Sequence, residues 1–81
     1  MSDKIRKFLA KLPTRELVRV ETAIKAITSG NLGTLNVKPI KGKQGYCRVR
    51  IGRVRIIYRK LNNHNEVVHV NNRDNQTYRN F

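Results

Sequence analysis

The side chains best able to do chemistry in this sequence are arginines that alternate with apolar residues. Tyr46-Cys47-Arg48-Val49-Arg50-Ile51 has a period of two, and after Gly52-Arg53 the segment Val54-Arg55-Ile56-Ile57-Tyr58 follows. Such alternation predicts half-buried strands, and glycine followed by one residue suits a two-residue type II′ hairpin turn. With that turn, Ile51 faces Val54, Val49 faces Ile56 and Cys47 faces Tyr58 on one apolar face. On the other face Arg50 lies opposite Arg55, Arg48 sits two residues along, and Arg59 is opposite Tyr46. Like charges directly opposed across a strand pair destabilise it. Between positions 38 and 60 there are nine Lys or Arg residues and no Asp or Glu, so no carboxylate lies nearby in the chain to compensate. A solvated sheet face normally mixes both signs. A phosphate chain would turn the repulsion into binding, and guanidinium forks match phosphate geometry.

A third strand of the meander, over 66–70, follows the polar turn Asn62-Asn63-His64-Asn65. Alternation puts Val68 and Val70 on one face and Val67, His69, Asn71 and Arg73 on the other. If the first pair faces the core, His69 and Arg73 point to the basic side. The tail Arg73-Asp74-Asn75-Gln76-Thr77-Tyr78-Arg79 adds a phenol and further guanidiniums. A base stacked on Tyr78, with phosphates held by arginines, is an ordinary mode of single-strand RNA recognition. Arg48, Arg50, Lys41, Lys43 and Arg79 are the expected RNA or phosphate contacts. Tyr78, His69, Asp74 and Glu66 are the possible proton carriers, and His69 is of the residue type best suited to that work. Cys47 as a nucleophile is disfavoured because alternation puts it on the core face, as it does Tyr58; Tyr46 fits either core rim or stacking platform.

Two helices must support this sheet. Ile5, Phe8, Leu9 and Leu12 recur on one helical face, with Ser2 or Asp3 as N-cap and Pro13 as the stop. Thr14 is expected to cap a second helix with the stripe Leu17, Val20, Ile24, Ile27, ended by Gly30 in the left-handed conformation. A connection this short predicts an αα-hairpin. Residues 31–45 read as an irregular connector anchored by Val37 and Ile40. The expected fold is α+β: an N-terminal αα-hairpin (1–30) packed on a small antiparallel sheet of three to four strands. Residues 46–81 form the meander and basic tail, all within a single domain.

Composition narrows the partners. The formal net charge is +13 over 81 residues, with 18 Lys and Arg against five acids. A small particle with that self-repulsion suits a polyanionic partner. No segment reads as a signal peptide or a membrane span, and there is no Trp for an interfacial membrane helix. One cysteine and two histidines make no convincing metal site, and no Gly-rich phosphate loop is present. These features imply a cytoplasmic protein without cofactor or metal, directed at RNA.

The ordered set of Lys41-Gly42, Tyr46-Cys47-Arg48-Val49-Arg50-Ile51-Gly52, Val54-Arg55-Ile56-Ile57-Tyr58, Val67-Val68-His69-Val70, Arg73 and Tyr78 resembles the RelE/ParE toxin superfamily of toxin–antitoxin systems. The likeness covers roughly 32–81, and the preceding helices fit in order and length. It implies an endoribonuclease that cleaves messenger RNA, in RelE-like members at the ribosomal A site, by attack of the RNA's own 2′-hydroxyl and without a metal. By position, Arg55 resembles the phosphate-binding arginine, Arg73 the second catalytic arginine and Tyr78 the C-terminal tyrosine that stacks on or orients the substrate. Arg48 and Arg50 stand where RelE-like members mostly carry lysines; their higher pKa favours charge stabilisation over general-base work. The implied partners are messenger RNA, the ribosome and a cognate antitoxin that covers the basic face. Many members carry a strand before the first helix, which this pattern lacks, and His or Lys where Asn71-Asn72 precede Arg73. Two other readings fit the composition: a ParE-like inhibitor of DNA gyrase, and a non-catalytic RNA- or ribosome-binding module.

Overall fold

The computed structural model describes residues 3–33 and 35–72. Helix α1 spans Asp3–Ala10 and α2 spans Thr14–Ser29; strands β1 (Val37–Pro39), β2 (Tyr46–Ile51), β3 (Val54–Lys60) and β4 (Asn65–Asn72) follow. The strands form one antiparallel sheet in the order β1-β2-β3-β4, with the helices packed on one face. The α+β expectation is met.

Asp3 opens α1 in the first turn, where the helix dipole favours a carboxylate; Ser2 lies outside the described residues. Past Ala10 the chain tightens, with Lys11 N–H bonding Phe8 O and Leu12 N–H bonding Leu9 O, both at 3.1 Å. Leu12 therefore packs on the core from a turn rather than from the helix. Thr14 is not the cap of α2: Pro13 holds the N-cap position, with no side-chain cap bond, and its carbonyl accepts from Leu17 N–H at 2.9 Å. Gly30 ends α2 as expected, at φ 83°, and Asn31 N–H closes on Ala26 O at 2.9 Å. Both helices pack more extensively on β4 than on each other.

The helix-facing core contains Ile5, Val20, Ala23, Ile24, Ile27, Cys47, Val49, Val54, Ile56, Tyr58 and Val70. Cys47 and Tyr58 are thus core residues, opposite each other across β2 and β3. The Tyr58 hydroxyl is buried without a hydrogen-bond partner. Burial, aided by the neighbouring Cys47 thiol, pushes its pKa up to about 12. An unfolded chain gives up that phenol proton near 10. Stability is therefore whole below pH 10 and drains away as pH rises through 12, by on the order of 3 kcal/mol at about 1.4 kcal/mol per unit. Tyr58→Phe should flatten this alkaline loss in denaturant titrations between pH 9 and 12. At pH 7 it should cost little, since it removes an unsatisfied buried hydroxyl.

Two features depart from the sequence reading. Segment 31–45 is not wholly irregular, because Val37, Lys38 and Pro39 pair with Val49, Arg48 and Cys47 as strand β1. The edge position accommodates Pro39, which cannot donate to a further strand. Strand β4 is also longer than expected and its register against β3 shifts between Ile57 and Tyr58. His69 faces Ile57 and Val67 faces Tyr58, leaving Val68 as the additional residue of a bulge. Val67, not Val68, therefore joins Val70 against the core.

Candidate nucleic-acid interface

The face of the sheet turned away from the helices is built row by row from the strand register. The hairpin pairs as expected, with Arg50 opposite Arg55 and Ile51 opposite Val54. Gly52 has φ 57° and, among the described residues, no non-glycine residue has positive φ. That combination is a type II′ turn. The turn is braced from α2 by an ion pair between Arg53 Nη2 and Glu16 Oε1 at 3.1 Å.

Three rows cross this face. One runs Lys38, Arg48, Ile57, His69 through all four strands, and the next runs Arg50, Arg55, Asn71. The rows are about 7 Å apart along the strands. Arg50 is exposed and Arg48 half-buried, while Arg55 is only 8% exposed. At that exposure the Arg55 side chain has few rotamers left. Ile57 is fully buried on this face, giving the row an apolar centre, and His69 is half-buried beside it.

The third row is Tyr46, Arg59, Glu66, and it contains a carboxylate that sequence alternation placed elsewhere. Without the bulge in β4, Glu66 would lie on the core face with Val68 and Val70. The additional residue brings it opposite Arg59 instead, with Arg59 Nη2 donating to Glu66 Oε1 at 2.7 Å. The Tyr46 hydroxyl first, then Glu66, raise the pKa of Arg59 above its ordinary value. Tyr46 thereby belongs to the basic face, and the expectation that no carboxylate compensates the cluster is corrected at this row. Glu66 is occupied as an ion-pair partner, which counts against it as a proton carrier.

Lys41 and Lys43 come together with Arg48 around a groove of about 380 Å³, completed by Pro39, Ile40 and Gly42. Strand β1 also adds Lys38 to the face, a residue that sequence reasoning missed. Its only signal was the short alternation Val37-Lys38-Pro39-Ile40, masked by the proline. Arg73, Asp74, Tyr78 and Arg79 lie outside the described residues. Among the described residues, no three His, Cys, Asp or Glu are grouped to hold a metal, and no helix is long and apolar enough to cross a membrane.

No family model matches this chain, and no curated protein does. Among solved structures it is similar to a chain of the RelB–RelE antitoxin–toxin complex from Methanococcus jannaschii. The TM-score is 0.77 at 23% identity, over 99% of this chain and 95% of that one. The likeness is one of fold.

Proposed function

From a fold shared with a chain of an antitoxin–toxin complex, we propose that this protein is the toxin of such a pair. In this reading it is a metal-independent endoribonuclease that cuts messenger RNA at the ribosomal A site, in the cytoplasm. The observation that carries the reading is the Arg50–Arg55 pair, directly opposed on the sheet face turned away from the helices. Two guanidiniums side by side present paired donors that match the geometry of a phosphate.

The chemistry asked of the site is attack of a ribose 2′-oxygen on the adjacent phosphorus. The bond from phosphorus to the 5′-oxygen breaks, leaving a 2′,3′-cyclic phosphate and a 5′-hydroxyl. Negative charge peaks on the non-bridging oxygens in between, and fixed donors aimed at that charge lower the barrier. Arg55 is assigned to those oxygens, with Arg50 and Arg48 holding the flanking backbone. His69, one row away on β4, is assigned to proton transfer between the 2′- and 5′-oxygens. Arg73 and Tyr78 are assigned, on the sequence resemblance, to the second guanidinium and the stacking platform, and Arg79 to a further phosphate. The cognate antitoxin is proposed to act by covering this face, whose charge calls for an acidic segment.

The nucleophile supplies a direct test. A message carrying a single 2′-deoxynucleotide on the 5′ side of the cut should resist cleavage at that bond, while the all-ribose message is cut equally with and without EDTA. Cleavage of the deoxy-substituted bond would mean that water attacks, and would remove the mechanism. Intact RNA together with inhibited DNA supercoiling would favour the gyrase-directed reading.

A further inference from the structure

We propose that the groove between β1 and β2 is a second RNA subsite, which binds a backbone segment of single-stranded RNA next to the nucleotide being cut. The inference rests on the RNA-directed part of the proposed function and adds to it where the strand runs. Three cations, Lys41, Lys43 and Arg48, line about 380 Å³ with Pro39, Ile40 and Gly42, and none of these six is acidic. The volume lies within the range of small-molecule sites. Cations beside an apolar wall are what a phosphate joined to a ribose or base requires.

The loop that carries the lysines is built rather than loose. Ile40 N–H bonds Tyr46 O at 3.0 Å, Lys43 N–H bonds Ile40 O at 3.2 Å, and Tyr46 N–H bonds Lys43 O at 3.1 Å. Lys60 N–H ties Gly45 O to β3 at 2.8 Å. Gly42 and Gly45 take φ 82° and 85°, which lets so short a loop turn back on itself. A backbone already fixed loses little freedom when a ligand binds.

Position decides what the groove serves. Arg48 belongs both to its wall and to the row Lys38, Arg48, Ile57, His69. The groove therefore opens onto the row next to Arg50 and Arg55, and one strand can run from the lysines to the buried arginine. At the same end of the sheet as the loop, Arg59 on β3 pairs with Glu66 of β4, so the carboxylate lies on the β4 side and the two lysines on the β1 side.

The test uses a fluorescent single-stranded 2′-O-methyl RNA, which cannot be cut, so that binding is read independently of catalysis. Anisotropy titrations over a range of salt compare the wild type with Lys41→Ala/Lys43→Ala and with Lys7→Ala/Lys25→Ala, which removes the same charge from the helices. The groove variant should bind about tenfold more weakly, and its salt slope should be shallower by about 1.4, at about 0.7 per phosphate contact on a single strand. The helix variant should keep the wild-type slope. Equal weakening in both variants, or none in either, overturns the subsite. So does unchanged RNA binding in a groove variant that has lost binding to a poly-glutamate peptide, which would assign the groove to an acidic protein partner. Groove-dependent RNA binding by a protein that cuts no message would leave the subsite standing and remove the nuclease.

Discussion

Replacing Arg55 with alanine should slow RNA cleavage by about 10²- to 10³-fold, the usual cost of one fixed donor to transition-state charge, while RNA affinity falls only severalfold. The two readouts separate because Arg55 is assigned to charge that exists only during reaction, whereas affinity is proposed to be shared among Lys38, Lys41, Lys43, Arg48 and Arg50. Single-turnover cleavage and anisotropy on uncut RNA measure them in parallel. Arg55→Lys should recover little, since an ammonium keeps the charge but loses the planar fork. The side chain is 8% exposed, so its methylenes also pack. Arg55→Met retains much of that packing and guards against a folding artefact. A variant Arg55→Met that melts like the wild type and also cuts like it would remove Arg55 from the chemistry.

Ile56→Ala should destabilise the protein by about 2–5 kcal/mol, the range for truncating a buried aliphatic side chain. Ile56 is fully buried at the centre of β3, flanked across the sheet by Val49 and Val70 in the core beneath the helices. An 81-residue chain has a small core, and whole-domain stabilities are about 5–15 kcal/mol, so this one cavity should remove a large share. At about 4–8 °C per kcal/mol for domains of this size, the melting temperature should fall by at least about 8 °C. Val18→Ala, on the outer surface of α2 at 56% exposure, should stay within about 0.5 kcal/mol. A loss at Ile56 no larger than that at Val18 would mean the sheet is not the seat of the core.

The hairpin was legible because two signals agreed: Gly52 sets the turn, and the strict alternation on either side sets the register. The helices were legible from apolar spacing and from Gly30, though not their exact starts; Thr14 looked like a cap, yet Pro13 occupies that place without a side-chain bond. Strand β1 was hidden because it is three residues long and holds a proline. The β4 bulge was hidden because an additional residue leaves no mark in composition. Its consequence is the larger one, since it moves Val67 to the core and Glu66 to Arg59. His69 lies on the other side of the bulge, so its expected place on the basic face survived. The groove depends on how 40–45 folds back on Arg48, which no local pattern encodes. The expected roles of Arg73, Tyr78 and Arg79 fall outside the described residues and stand on the sequence alone.

The most direct test of the nuclease reading is to add the purified protein to ribosomes stalled on a defined message and to map new RNA 5′ ends. The account predicts a discrete cut at the A-site codon, insensitive to EDTA, bearing a 5′-hydroxyl, and nearly absent with Arg55→Ala. Intact message on ribosomes that demonstrably bind the protein would contradict it and leave a basic module that binds without cutting.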